Sequence, residues 1–195
     1  MQSFSCIILA GGRSSRMGSD KALLKVQQQC ILLEHMINLA LSCGAADLIV
    51  SRSPELRNDS LKQIVFVDDE YQHQGPLAGL HACLPRCQQN RVLVLPVDMP
   101  ALSEDMLRVL LDSSTSACFK DYELPFLIVT NSVQRETLIR FITQQLESPK
   151  SRCSIRGMLN YLQVDELPIT DEVRMLNTNS PEQWQQFLAL QKNEA

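Results

Sequence analysis

Short apolar runs recur along the chain and mark the expected strands. The clearest run, SCIILA, spans residues 5–10, and a second, RVLVLPV, spans residues 91–97. Continuous apolar runs of this length are typical of strands that are buried on both faces of a sheet. Two shorter runs, at residues 47–50 and 64–67, predict further strands of the same kind.

Segments with helical spacing lie between these strands. Leu33, Met36, Ile37 and Ala40 share one face of a helix predicted over residues 32–43, which Gly44 ends. The later elements are predicted in chain order as a helix at 76–84, strands at 117–119 and 124–129, helices at 133–146 and 155–162, and strands near Val164 and Met175.

Two later helices begin with capping residues. Ser103 precedes two acidic residues, as expected for an N-cap followed by side chains that favour the helix dipole. Residues 180–183 (SPEQ) form a capping box with proline at the first helical position, opening a helix that is expected to bury Trp184, Phe187 and Leu188.

The alternation of short strands and helices predicts an α/β fold. Such a chain builds a mostly parallel sheet that is covered by helices on both faces, and its ligands bind beyond the carboxyl ends of the strands. The residues that follow Ala10, Val50, Val67 and Val97 are therefore the first candidates for a binding site. No linker-like segment divides the chain, so residues 1–195 are predicted to form one domain.

Composition narrows the class of protein. The 195-residue chain is 45% hydrophobic and 21% charged, with a formal net charge of -4, which argues against broad nucleic-acid binding. Its seven cysteines include no C-x-x-C pair and are expected to be free thiols in a reducing compartment. No secretion signal and no apolar stretch long enough to cross a membrane is seen, so a cytoplasmic location is expected.

The segment at residues 9–21 (LAGGRSSRMGSDK) follows the first strand and is rich in glycine, serine and basic residues. Such loops can surround phosphate with backbone N–H groups and cationic side chains. The spacing differs from a P-loop, because five residues separate Gly12 from Gly18 and Lys21 does not directly follow the second glycine. It also lacks the G-x-G-x-x-G pattern of dinucleotide-binding folds.

Residues 9–21 are similar to the signature L-A-G-G-x-S-x-R-M-G-x-D-K of the molybdenum cofactor guanylyltransferases, within the wider family of MobA-like nucleotidyltransferases. The GPLAG segment at 75–79, the D-x-P element at 96–100 and NTNSPE at 177–182 resemble further motifs of that family, in the same order. The resemblance implies a Rossmann-like three-layer α/β/α sandwich whose mostly parallel, mixed sheet carries one antiparallel strand.

The resemblance also implies a reaction in which GMP passes from GTP to the phosphate of molybdopterin, releasing pyrophosphate, with Mg²⁺ as cofactor. Arg16, Lys21 and Asp98 would be the catalytic residues, the two cations neutralising phosphate charge and Asp98 binding the metal. By position alone, Asp98 could equally cap the turn before Pro100. The resemblance favours the metal ligand.

Further binding residues are carried over from the same motifs. Ser51 replaces an asparagine common in the family, and Asp68 is followed by Asp69, so a shift of one residue is possible. Gly79, Asn177 and Asn179 are candidates for acceptor binding, although asparagines before a capped helix are also common turn formers. The nucleotide-binding residues implied by the resemblance are Leu9, Ala10, Gly11, Gly12, Lys21, Ser51, Asp68, Gly75 and Asp98.

Two other functions remain open. One keeps the chemistry and changes the substrates, as in cytidylyl transfer to molybdopterin or nucleotidyl transfer to a sugar or alditol phosphate; Gly11 and Gly12 favour the guanylyl branch. The other is a non-catalytic nucleotide-binding protein that delivers cofactor, which the presence of Lys21 and Asp98 disfavours.

The expected partners are GTP and molybdopterin, with transient contact with molybdoenzymes or their chaperones. No nucleic acid or membrane is expected as a partner, and the chain is expected to act as a monomer.

Overall fold

The computed structural model describes residues 2–11, 20–27, 30–53, 64–71, 74–148 and 154–194. The described strands form one seven-stranded sheet and one two-stranded sheet. The strands are β1 (Ser5–Leu9), β2 (Lys25–Gln27), β3 (Cys30–Ile31), β4 (Asp47–Ser51), β5 (Val65–Val67), β6 (Arg91–Pro96), β7 (Ala117–Phe119), β8 (Phe126–Val129) and β9 (Asp165–Leu167).

The helices connect the strands and cover the large sheet. They are α1 (Leu32–Ser42), α2 (Pro76–Cys83), α3 (Glu104–Leu111), α4 (Ser132–Glu147), α5 (Ile155–Leu162) and α6 (Pro181–Glu194). Short 3-10 turns are formed by Lys21–Leu23, Leu84–Arg86 and Glu172–Met175.

The large sheet has the order β5-β4-β1-β6-β8-β7-β9, so β1 lies near its centre. Strand β1 is parallel to both neighbours, and Leu9 is in register with Ser51 on β4 and with Pro96 on β6. Among the described strands of this sheet, β8 is antiparallel to both neighbours, while β7 and β9 are parallel to each other. The expected mostly parallel sheet with one antiparallel strand is confirmed.

Apolar side chains are buried on both faces of this sheet. Ile8 points into a core that includes Met36 of α1, whereas Ile7 points into a second core with Leu80 of α2 and Ile142 of α4. Successive residues of a strand face opposite sides, so a continuous apolar strand serves both cores. The double burial predicted from the SCIILA run is therefore confirmed.

The structure corrects the predicted elements near the C-terminus. The strand expected near Val164 is found at Asp165–Leu167, but the strand expected near Met175 is wrong, since Glu172–Met175 is a 3-10 turn. That turn is capped by Asp171, whose Oδ1 accepts a hydrogen bond of 3.1 Å from Val173 N. The two-stranded sheet of β2 and β3 was not predicted.

The predicted helix caps and free thiols are confirmed where the structure describes them. Ser103 Oγ accepts from Met106 N at 3.5 Å, and Ser180 Oγ accepts from Gln183 N at 3.3 Å. The six described cysteines are free thiols. None of the described helices is both long and apolar enough to cross a membrane.

Candidate active site

A lysine, an aspartate and an asparagine from distant parts of the sequence meet beyond the carboxyl end of β6. Lys21 Nζ lies 3.7 Å from Asp98 Oδ2 and also donates a hydrogen bond to Asn179 Oδ1. The side chains of Lys21 and Asp98 keep 16% and 26% of their surface exposed, so both can reach a bound molecule. The structure brings together three of the predicted site residues at one point.

Thr178 holds the asparagine segment against the end of β6. Its side chain is fully buried, its backbone N–H donates to Asp98 O at 2.8 Å, and its hydroxyl donates to the same oxygen at 3.1 Å. The next residue, Asn179, is held by its backbone N–H, which donates to Gln183 Oε1 at 2.8 Å. Asn177 and Asn179 therefore flank a buried anchor, and Asn179 is held by its contacts with Lys21 and Gln183.

A second group of residues lies beyond the ends of β1, β4 and β5. Ser51 Oγ donates a hydrogen bond of 2.8 Å to Asp69 Oδ1. A Cβ atom added at Gly11 would lie 3.2 Å from Asp69 Oδ2, and one added at Gly79 would overlap Ser51 Oγ. A side chain at Gly79 would therefore collide with Ser51, whereas one at Gly11 would make a tight contact with Asp69.

Asp69, rather than its neighbour, faces this second group. Asp69 is half-buried and contacts Ser51, whereas Asp68 is exposed. Burial raises the pKa of the Asp69 carboxyl above its ordinary value of 3.8; the hydrogen bond from Ser51 lowers that pKa, and the nearby charge of Asp68 raises it. The one-residue shift considered from the sequence agrees with these contacts, while the nucleotide role of Asp68 stays a prediction.

Arg52 occupies the position after Ser51 and contacts both flanks of the glycine-rich segment. Its Nη1 donates to Ala10 O at 3.3 Å and to Asp20 Oδ1 at 3.0 Å, and its Nη2 pairs with Asp20 Oδ2. Neither Arg52 nor the role of Asp20 was predicted. Position 52 lies just beyond a strand end, where the site was expected. The sequence alone does not show which residue an arginine at that position pairs with.

Gly75 starts α2 with a backbone conformation that favours glycine. Its φ is 74°, in the region that side-chain-bearing residues rarely adopt, and Pro76 follows at the first helical position. Gly79 lies one turn further along α2 and is buried beside Ser51 and Asp69. The structure therefore accounts for both glycines by backbone geometry and packing; their ligand contacts remain predictions.

A cavity of about 610 Å³ lies beside Asn177, between α6, the turn Glu172–Met175 and the loop that follows β7. This volume is in the range of small-molecule binding sites. Its lining combines apolar side chains with amides, a carboxylate and a phenol. Among the lining residues are Tyr122, Glu172, Leu176, Asn177, Gln183 and Gln186.

The remaining predicted residues fall into two sets. Leu9 and Ala10 are buried at the end of β1, and Leu9 O accepts from Val97 N at 3.1 Å, which extends the pairing with β6. Gly12 and Arg16 lie outside the described residues, so their predicted roles are unchanged.

Asp98 has the chemistry and the position of a ligand for a hard divalent ion. Its carboxylate is partly exposed at the end of a buried strand and is charge-balanced by Lys21. Within the described ranges, no group of three or more His, Cys, Asp or Glu side chains could hold a metal ion. A single carboxylate is still compatible with Mg²⁺, because this ion is often held by one or two carboxylates together with substrate phosphates and water.

Comparison with known proteins identifies the family. Residues 6–148 match the MobA-like NTP transferase domain. The chain belongs to the MobA-like NTP transferase family. It is 35% identical over 188 residues to the molybdenum cofactor guanylyltransferase of Xanthomonas euvesicatoria pv. vesicatoria (strain 85-10), with 93% of each chain covered. It is also 30% identical over 194 residues to the probable molybdenum cofactor guanylyltransferase of Synechococcus elongatus, covering 93% of this chain and 96% of the relative.

Solved structures agree with this family's fold. Molybdopterin-guanine dinucleotide biosynthesis protein A from Archaeoglobus fulgidus superposes with a TM-score of 0.73 at 19% identity, covering 97% of this chain and 99% of that one. The 2-C-methyl-D-erythritol 4-phosphate cytidylyltransferase from Thermus thermophilus gives a TM-score of 0.66 at 17% identity, covering 98% and 100%. The chain is a nucleotidyltransferase with a Rossmann-like fold, and this fold is shared by enzymes that use different bases and acceptors.

Proposed function

We propose that this protein transfers GMP from GTP to the phosphate of molybdopterin, releasing pyrophosphate and forming the molybdopterin guanine dinucleotide. The single observation that carries the proposal is the meeting of Lys21, Asp98 and Asn179 at the carboxyl edge of the sheet. The names of the relatives in Xanthomonas and Synechococcus support the choice of substrates. The reaction is proposed to take place in the cytoplasm.

The reaction joins two anions, so charge relief and alignment are the main requirements. A terminal oxygen of the acceptor phosphate attacks the α-phosphorus of GTP, a new P–O bond forms, and the bond to the β-phosphate oxygen breaks with pyrophosphate as the leaving group. The attacking oxygen is already negative, so no strong general base is needed. Preorganised cations supply most of the stabilisation in such a reaction.

Each residue of the cluster has a separate task. The Lys21 ammonium, held at the meeting point, would neutralise phosphate charge, and Arg16 would add a second cation. Asn179 presents its Oδ1 to Lys21, which leaves the amide NH₂ as a donor for a phosphate oxygen. Asp98 would hold Mg²⁺, which when bound would neutralise further negative charge on the phosphates.

The nucleotide and the acceptor would lie on opposite sides of this cluster. Gly11, Ser51 and Asp69 form a close-packed edge suited to a nucleoside, in which a carboxylate can accept from the N–H groups of a guanine. The cavity beside Asn177 has room for the fused rings of a pterin, with the Tyr122 ring available for stacking.

The test is transfer by the purified chain with Mg-GTP and molybdopterin, read as pyrophosphate release and dinucleotide formation. Turnover with GTP and a much weaker reaction with CTP are expected. Tighter binding of CTP than of GTP would replace guanylyl transfer with cytidylyl transfer. GTP binding without pyrophosphate release under these conditions would instead favour the cofactor-delivery function.

A further inference from the structure

Arg52 carries a buried charge at the edge of the sheet. Its side chain is only 10% exposed, and its backbone N–H donates to Val67 O at 2.8 Å, which ties the residue to the end of β5. Its Nε atom is buried and has no hydrogen-bond partner among the residues that the structure describes. A charge this deeply buried is costly unless it is paired.

The pairing of Arg52 joins the two flanks of residues 12–19. Its Nη1 donates to Ala10 O at 3.3 Å and to Asp20 Oδ1 at 3.0 Å, and its Nη2 pairs with Asp20 Oδ2. A planar guanidinium can hold a carboxylate with two donors and still contact a carbonyl, which an ammonium cannot do in the same geometry. The contact therefore depends on the shape of arginine as well as its charge.

Asp20 passes this constraint to the next residue. Its Oδ1 accepts from Ala22 N at 3.2 Å, and its backbone O accepts from Leu23 N at 3.1 Å, so it caps the turn that begins at Lys21. The same carboxylate is thus bound by Arg52 on one side and by the Lys21–Leu23 turn on the other. Moving the carboxylate would move the start of that turn.

We infer that Arg52 is a positioning residue that holds Lys21 against Asp98 and Asn179, acting through the carboxylate of Asp20. The backbone of Arg52 is fixed to the sheet by the hydrogen bond to Val67 O, and its guanidinium holds Asp20, the residue before Lys21. A misplacement of a catalytic group by about 1 Å can cost on the order of 100-fold in rate. The catalytic consequence rests on the proposed function, whereas the placement of Lys21 does not.

The placement of Lys21 can be measured without turnover, by competitive acylation of lysines and mass spectrometry. Lys25 lies on the exposed side of β2 and serves as the internal reference. In Arg52→Gln, Lys21 is expected to be acylated several-fold faster relative to Lys25. Arg86→Gln removes the same charge from an exposed site and is expected to leave the ratio unchanged. An unchanged ratio in folded Arg52→Gln would overturn the inference.

Arg52→Lys covers the case in which Arg52→Gln does not fold. It keeps the charge and most of the stem but loses the planar fork, so an intermediate Lys21 acylation ratio is expected. Circular dichroism establishes whether each variant is folded. If only Arg52→Lys folds, a wild-type ratio in that variant contradicts the inference.

Kinetics separate a positioning role from a general structural one. Arg52→Gln is expected to lower single-turnover transfer at least about tenfold in the wild-type background, but by less than about twofold when Lys21→Met is already present. An equal loss in both backgrounds would show that Arg52 does not act through Lys21. If the wild-type protein forms no dinucleotide, the proposed function fails, and the acylation ratio still decides the role of Arg52.

Discussion

Lys21 Nζ lies 3.7 Å from Asp98 Oδ2, although β4, β5 and α2 all lie between the two residues in the chain. The two side chains form an ion pair at the carboxyl edge of the sheet. For the transfer proposed above, such preorganised opposite charges would leave little rearrangement for the reaction. Substitutions of this pair and of the residues that support it should therefore have distinct effects on transfer and on stability.

Asp98→Asn is expected to reduce transfer at least about 100-fold, because the amide cannot replace the negative charge at a metal ion. The substitution keeps the backbone carbonyl that Thr178 binds, so the fold is expected to be retained. Rates are measured by pyrophosphate release over a range of Mg²⁺ concentrations. Asp105→Asn alters an exposed carboxylate on α3 and serves as the control. Wild-type turnover by Asp98→Asn would remove this residue from the mechanism.

Removal of the divalent ion is expected to abolish transfer in the wild-type protein. Asp98 is the carboxylate that we assign to Mg²⁺, and one carboxylate alone binds this ion weakly without substrate phosphates. Activity is measured after chelation with EDTA and again after Mg²⁺ is restored. Full activity in EDTA would contradict the assignment of Mg²⁺ as cofactor.

Gly79→Ala is expected to lower the free energy of unfolding by about 1–3 kcal/mol, because the added methyl group overlaps Ser51 Oγ. Ser51→Ala removes that oxygen, so the penalty is expected to shrink in the double variant. Urea unfolding gives both values. Gly157→Ala is the helical control, since its added Cβ would lie 3.3 Å from Ser154 Oγ, a much less severe contact than the overlap at Gly79. Equal penalties for Gly79→Ala in both backgrounds would refute the overlap with Ser51.

Thr178→Val is expected to lower the free energy of unfolding by about 1 kcal/mol, because it removes the hydroxyl that donates to Asp98 O and keeps the shape of the side chain. It is also expected to raise the KM for the acceptor, since Asn177 and Asn179 flank this anchor. Thr178→Ser retains the hydroxyl, and its KM for the acceptor should stay near that of the wild type. A similar KM for all three proteins would mean that the anchor does not place the acceptor site.

Asp69→Asn is expected to change how stability depends on pH. Burial raises the folded-state pKa of Asp69 above the ordinary value of 3.8, so the wild-type carboxyl contributes its stability at low pH and loses it as the pH rises through the folded-state pKa. The variant keeps an acceptor for Ser51 and carries no charge. Its unfolding free energy should therefore gain on that of the wild type as the pH rises from about 4 towards neutrality. A difference that is constant over this range would contradict the raised pKa.

The sequence predicted where in the fold the site lies, because strand ends and turn residues are recognised from neighbouring residues in the chain. The runs at residues 5–10 and 91–97 located β1 and β6, and the rule for parallel sheets then placed Lys21 and Asp98 at one edge. Asp68 and Asp69 could not be separated in the same way, because the choice depends on which of two consecutive residues faces α2. A shift of one position reverses the side to which a residue points.

The chain's own pattern determined the layers and the sheet edge that carries the candidate site, and it predicts which segment binds phosphate, since periodicity, glycine spacing and charge are properties of neighbouring residues. Only the tertiary structure decided that Arg52 pairs with Asp20, that Thr178 anchors the asparagines to Asp98, and that Gly79 packs on Ser51. These contacts join side chains that are far apart in the chain. Which side chains meet depends on how the helices and strands pack together, and the local spacing of residues does not predict that packing.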